Sequence, residues 1–123
     1  MSELPGGWRL ESWSLLYEDG RPPEFPMGAD ALGYILYTPA GQVSATIMRA
    51  DGSECFAYAG RYETADGAVF HSIELSTNPA LIGLRSTRRI ELDGDRLTLS
   101  GPDFTPGTAR TQQIVWRRAI GQA

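Results

Sequence analysis

The stretch from Cys55 to Thr77, CFAYAGRYETADGAVFHSIELST, decides the fold class of this chain. Two runs rich in aromatic and β-branched residues flank Asp66-Gly67. Asp-Gly between two such runs is the strongest short-range hairpin signal, because glycine tolerates the positive φ of a tight turn. The second run alternates. Val69, His71, Ile73 and Leu75 fall on one face, and Phe70, Ser72, Glu74 and Ser76 on the other. A period of two marks a strand with one buried face.

Moving outward, the same punctuation recurs at Asp19-Gly20, Asp51-Gly52 and Asp93-Gly94. Pro39-Ala40-Gly41, Asn78-Pro79 and the stretch from Gly101 to Gly107 add further breaks. They delimit eight strand-like segments: Trp8 to Tyr17, Leu32 to Thr38, Gln42 to Arg49, Cys55 to Glu63, Ala68 to Thr77, Leu84 to Leu92, Arg96 to Ser100 and Arg110 to Ala119. No stretch of a dozen residues keeps a helical period free of Gly and Pro. Only a short helical turn near Met27 to Ala31, or around Ala80 to Ile82, is compatible with the pattern. A twisted meander of eight strands protects its edges by closing on itself. The expected fold is therefore all-β, an eight-stranded antiparallel up-and-down β-barrel formed by residues 1–123 as one domain. Such a barrel is either filled by side chains or wide enough for one small ligand. The two longest connections, Glu18 to Ala31 and Gly101 to Ala109, carry Phe25 and Phe104 and read as rim loops or lids.

Composition narrows the chemistry. The 123 residues are 41% apolar, enough for a real core, and carry a net charge of −4. The eleven basic residues are all arginine, and there is one His and one Cys. Without lysine there is no Schiff-base chemistry, no pyridoxal phosphate or retinal anchor and no phosphate-cradling lysine. One His and one Cys leave no His-rich metal site, disulfide, Cys-x-x-Cys pair or zinc knuckle within the chain. No cofactor is expected. No basic stripe speaks for nucleic acid. No apolar run approaches about 18 residues, so no membrane span is expected. Residues 1–7 lack the pattern of a signal peptide, and a cytoplasmic location is expected.

Several pieces of the sequence, taken in order, resemble the lipocalins. Gly6-Gly7-Trp8 opens the first strand, and Trp116-Arg117-Arg118 ends the last. In lipocalins a first-strand Trp is covered by an Arg near the barrel's end, which implies a structural Trp8–Arg118 pair. The likeness is closer to the compact bacterial and fungal lipocalin-like domain proteins. It rests on Gly7-Trp8-Arg9-Leu10, Gly33-Tyr34-Ile35-Leu36-Tyr37-Thr38-Pro39, Ser44-Ala45 with Met48-Arg49, and Tyr58-Ala59-Gly60-Arg61-Tyr62-Glu63. His71-Ser72-Ile73-Glu74-Leu75-Ser76, Asn78-Pro79, Leu92-Asp93-Gly94-Asp95-Arg96-Leu97 and Val115-Trp116-Arg117-Arg118 continue it over nearly the whole chain. One departure is the brief Asp-Gly turn between Met48 and Tyr58, where family members often carry a longer, helix-prone insert. The resemblance implies a container for a small ligand. Some similar barrels in natural-product pathways act as cofactor-free cyclases or isomerases.

The candidate site residues each allow two readings. His71, on the apolar face of the fifth strand, is either a general acid/base or a buried neutral histidine bonded to a neighbouring Tyr or Ser. Tyr34, Tyr37, Tyr58 and Tyr62 either polarise and stack on a ligand or fill the core. Ser44, Thr46 and Met48 share one face of the third strand, and Val43, Ala45 and Ile47 the other. Either set can face inward, and inward hydroxyls leave space for ligand. Arg88 shares parity with Ile90 and Leu92. It either points inward, towards an anionic or enolate-forming ligand, or sits at the mouth. His71, Tyr58, Tyr62 and Arg88 are the catalytic candidates. Tyr34, Tyr37, Ser44, Thr46, Met48, Ile73, Phe25 and Phe104 are the ligand-binding candidates. Glu74 and His71 lie on opposite faces, so no metal site is expected. The first functional expectation is a cofactor-independent cyclase or isomerase acting on a small hydrophobic, unsaturated metabolite. The second is a non-catalytic carrier for such a ligand. The third is a filled barrel that serves as an interaction module, with a homodimer formed through strand faces.

Overall fold

Eight antiparallel strands close into a barrel in sequential order, in a computed structural model that describes residues 3–102 and 110–119. They are β1 (Gly6–Tyr17), β2 (Leu32–Tyr37), β3 (Gln42–Met48), β4 (Cys55–Ala65), β5 (Ala68–Ser76), β6 (Arg85–Asp93), β7 (Arg96–Pro102) and β8 (Arg110–Arg118). Each pairs with its sequence neighbour, and β1 closes on β8. At the β4–β5 turn Asp66 and Gly67 take φ of 52° and 77°. Two positive φ values in succession match the right-handed twist of the flanking strands. Among the described residues one 3₁₀ turn forms, Pro79–Leu81, capped by Asn78 Oδ1, which accepts from the Ala80 N–H at 3.1 Å. The other helical candidate, near Met27, forms simple turns.

Register decides which side chains face the lumen. In β3, Val43, Ala45 and Ile47 are buried, while Ser44 and Thr46 lie on the exposed outer face with Met48 half-buried at its end. The expectation that Ser44, Thr46 and Met48 line the lumen is corrected. Val43 and Ala45 sit opposite Gly60 and Tyr58 of β4. Burying three aliphatic side chains is favourable, whereas burying two hydroxyls costs free energy unless both are hydrogen-bonded.

Two register shifts break the simple alternation. In β1 one lies between Leu10 and Ser12, so Trp8 and Leu10 face inward and Trp13 and Leu15 then follow them. The second lies where Ala59 pairs with Leu75 but Gly60 pairs with Ile73, leaving Glu74 as the extra residue. A Cβ at Gly60 would stand 1.9 Å from the Ser72 carbonyl oxygen, so only glycine allows this approach. The shift sends Leu75 out of the lumen, 66% exposed, against the plain alternation of β5.

The two ends of the barrel differ. At the end where β1 begins, Trp8, Leu10, Ile35, Tyr37, Val43, Val69, Leu97 and Trp116 fill the lumen and are buried. Trp8 Nε1 donates to the Leu4 carbonyl at 3.0 Å. The Arg118 guanidinium stacks 4.2 Å above the Trp8 ring, and its Nη2 donates to the Glu3 carbonyl at 2.7 Å. This end is plugged. At the other end Leu15, Ile47 and Gln112 are buried, but the inward Trp13, Phe56, Tyr58 and Ile114 are only half-buried, and this less covered end is the mouth.

Candidate functional site

Beneath the mouth, three side chains from three strands form one hydrogen-bonded chain. Tyr37 of β2 and Tyr58 of β4 reach His71 of β5 from two sides. The Tyr37 hydroxyl lies 2.7 Å from Nε2, and the Tyr58 hydroxyl 2.8 Å from Nδ1. Gly60, between the inward positions of Tyr58 and Tyr62, adds no side chain to this space. His71 itself is 1% exposed.

Burial sets the electrostatics. Desolvation, reinforced by the Arg88 charge, pulls the His71 pKa down to about 3. Desolvation pushes Tyr58 up to about 12 and Tyr37 well above the usual phenol value, partly offset at both by Arg88. The imidazole is therefore neutral and a weak base at physiological pH. A neutral imidazole has one donor and one acceptor nitrogen. One phenol must donate to it and the other must accept from it. The accepting phenol keeps its own O–H to give elsewhere. With the Nδ1–H tautomer that phenol is Tyr58, the one that lines the mouth.

Arg88 is buried at 6% exposure on the inward face of β6, with Ser86 and Ile90. Its Nη1 donates to the Thr87 carbonyl at 3.0 Å. Room for the side chain comes from Gly101 on β7, where a Cβ would meet the Thr87 oxygen at 2.7 Å and Arg88 Nη1 at 3.0 Å. Gln112 pairs with Gly101 across β7–β8 and is 2% exposed. Its Oε1 accepts from Trp13 Nε1 at 2.9 Å.

Above this polar floor stand aromatic walls. Trp13 of β1 and Phe56 of β4 meet across the mouth with ring centroids 5.8 Å apart. Phe56 lies 5.7 Å from Tyr58, and Tyr58 lies 5.7 Å from the His71 ring. Trp13, Phe56 and Gln112 were not among the residues read from the sequence. Phe56 shares the even parity of Tyr58, and Gln112 that of Trp116, so both were within reach of the alternation. Trp13 was not, because the shift after Leu10 reverses its face.

The remaining candidates are placed as follows. Ile73 is buried and faces inward. Tyr62 packs edge-on against Tyr37 at 4.8 Å but turns its hydroxyl to the Thr38 carbonyl, 2.7 Å away at the plugged end. It does not face the mouth. Tyr34 stands on the outer wall, 45% exposed, with Arg9 Nη2 donating to its hydroxyl at 2.7 Å. Its position on β2 is one step out of phase with the inward Ile35 and Tyr37, so its role as a lumen residue is corrected. Phe25 is 40% exposed on the long β1–β2 connection, whereas Met27, two residues on, packs against the core. Phe104 lies outside the described residues.

The family model for a lipocalin-like domain matches residues 5–55 and 50–119. Among solved structures the fold is similar to that of the lipoprotein YedD from Klebsiella pneumoniae. The TM-score is 0.52 with 12% sequence identity, over 99% of this chain and 76% of that one. At that identity the likeness concerns the fold alone. No protein of curated function matches the chain in sequence. A barrel of this family is compatible with binding a small hydrophobic ligand. By its sequence match over nearly its whole length and by its closed eight-stranded barrel, the chain belongs to the lipocalin-like domain family.

Proposed function

We propose that this barrel takes one small, mostly apolar, unsaturated metabolite through its mouth. There it acts as a cofactor-independent cyclase or isomerase in secondary metabolism of the polyketide or terpene type, inside the cell. One observation carries the reading: half-buried aromatic walls, Trp13, Phe56 and Tyr58, stand directly over a buried phenol–imidazole–phenol chain. Aromatic faces stack on an unsaturated chain and hold it in a near-attack shape. The Tyr58 O–H then donates to a carbonyl or enolate oxygen as charge develops there. The Arg88 charge, fixed in the same low-dielectric interior, adds to that stabilisation. His71 acts as a positioning residue. An imidazole whose pKa is about 3 is too weak a base to take a proton from carbon near neutral pH, but it fixes the orientation of both phenols.

A second reading, a carrier that returns its ligand unaltered, has its own support. The buried groups beneath the mouth are held away from neutrality, His71 downwards and both phenols upwards. A container needs only shape and one oriented donor. The separating experiment offers the protein a panel of linear polyenes bearing a ketone or carboxylate, with binding read by tryptophan quenching and products by mass spectrometry. The enzyme reading expects Tyr58→Phe to bind within a few-fold of wild type and to turn over about 10²–10³-fold more slowly, the usual effect of losing one preorganised donor. Bound polyene recovered unchanged selects the carrier. Unaltered binding in Trp13→Ala and Phe56→Ala rejects the mouth as the ligand site under either reading.

A further inference from the structure

Besides tyrosine and tryptophan, five polar side chains are buried among the described residues: Ser14, His71, Ser86, Arg88 and Gln112. Four of them are engaged. Ser14 Oγ donates to the Gln113 carbonyl at 3.4 Å, His71 bonds to two phenols, Arg88 to the Thr87 carbonyl and Gln112 to Trp13. Ser86 is the exception. It is 6% exposed, and among the described residues its hydroxyl neither gives nor takes a hydrogen bond. Nor is that hydroxyl sealed in. Among the described residues Trp116 Nε1 alone is both unpartnered and cut off from free space, so the Ser86 oxygen keeps an opening onto open volume.

Ser86 stands on the inward face of β6, directly across from His71 of β5 and two residues from the inward Arg88. Side chains so spaced on one strand face lie roughly 7 Å apart. A carboxylate spans that gap, one oxygen accepting from the serine O–H and the other from the guanidinium. A guanidinium carries five N–H donors, so it holds such an oxygen alongside the bonds it makes within the protein. The Arg88 charge is felt across this part of the lumen, at His71, Tyr58 and Tyr37, none of which is itself charged at neutral pH. A fixed cation in a low-dielectric interior favours an anion. Burying an unused hydroxyl costs free energy, and alanine would fill the position without that cost. A ligand oxygen that arrives through the mouth gives the serine its use.

We propose that Ser86, with Arg88 beside it, seats the carboxylate of the ligand, so that the substrate class is an unsaturated carboxylic acid that enters head first. This rests on the mouth as the ligand site, and adds where the charged end lies: on the β6 side of His71, across from Tyr58 on β4. Titration of the full chain with a conjugated octatrienoate and with its methyl ester at neutral pH, read by tryptophan quenching, tests this. Wild type is expected to bind the acid at least about tenfold more tightly than the ester. Ser86→Ala is expected to weaken the acid about tenfold, the worth of one hydrogen bond to a charged group, and to leave the ester within about twofold and the circular dichroism unchanged. Arg88→Gln is expected to bring acid and ester close to parity. The control Ser44→Ala, on the outer face of β3, is expected to keep the wild-type preference. Equal binding of acid and ester by wild type, or a preference that survives Ser86→Ala, overturns the carboxylate seat, and leaves the mouth standing if Trp13→Ala and Phe56→Ala weaken both probes. Binding that ignores Trp13→Ala and Phe56→Ala overturns the mouth and the seat with it, as does a wild type that binds neither probe.

Discussion

If His71 is locked neutral between two phenols, acid should unfold this protein in a way that one triple substitution removes. Folding holds the imidazole at about 3, against 6.5 in the unfolded chain. Between those values the unfolded state binds the extra proton, so stability falls as the pH drops through this window. Each pH unit with one proton in difference is worth about 1.4 kcal/mol. From pH 7 to pH 5 this single group should remove about 2 kcal/mol, a large part of the 5–15 kcal/mol typical of a domain. The reference protein is Tyr37→Phe/Tyr58→Phe/His71→Leu, which exchanges the whole hydrogen-bonded chain for apolar side chains. His71→Leu alone would strand two buried hydroxyls at about 1–3 kcal/mol each and confuse the comparison. Urea unfolding followed by tryptophan fluorescence at pH 7 and pH 5 gives both stabilities. The exposed carboxylates held low by their partners, Glu11, Asp19 and Asp51, are present in both proteins and cancel. An equal acid loss in wild type and triple variant would refute the reasoning, because the imidazole would then not be protected from protons by the fold.

Three further outcomes are expected. At alkaline pH the raised phenol values of Tyr37 and Tyr58 mean that stability falls as pH rises from 10 towards 12, and ultraviolet phenolate titration should show a late phase that Tyr37→Phe/Tyr58→Phe abolishes. Arg118→Ala should lower stability by about 1–2 kcal/mol in chemical denaturation, through loss of the stacking on Trp8 and of the bond to the Glu3 carbonyl. Gly60→Ala should cost about 3 kcal/mol or more, since its Cβ would collide with backbone rather than with a yielding side chain, and a melting curve close to wild type would show that the β4–β5 approach is looser than described.

The barrel was legible because its turns are chemically explicit. Asp66-Gly67 makes the tight turn that leads directly into β5, and Asp93 ends β6 with Gly94 opening the two-residue turn into β7. What the sequence left open was facing. In β3 the small size of Ser44, Ala45 and Thr46 gave either face a claim, and only the partners on β4 decide between them. Leu75 read as a lumen residue because alternation assumes an unbroken ladder, and no local signal other than Gly60 announces the shift. Strand ends moved as well: β7 continues through Gly101 to Pro102, where a break was read, because Gly101 is needed beside Arg88 and Pro102 still pairs with Thr111. His71 was placed correctly on the inward face, but its two tyrosine partners come from strands at different sequence distances. Alternation can say which way a residue points. It cannot say what the residue meets across a lumen.

The closure of β1 on β8 has a consequence for the order in which the chain can fold. Beyond Arg9, and apart from an isolated bridge between Leu15 and Glu24, β1 finds its ladder partners in β8, and Trp8 pairs with Arg118. During synthesis the first strand therefore leaves the ribosome long before its mate exists, with an apolar face and an open edge. Loop closure between such distant segments is slow, and unsatisfied edges recruit other chains. Aggregation during expression should thus depend on how quickly translation reaches the last strand. Slow codons placed just upstream of Arg110 would prolong the vulnerable interval without altering a single residue of the folded protein.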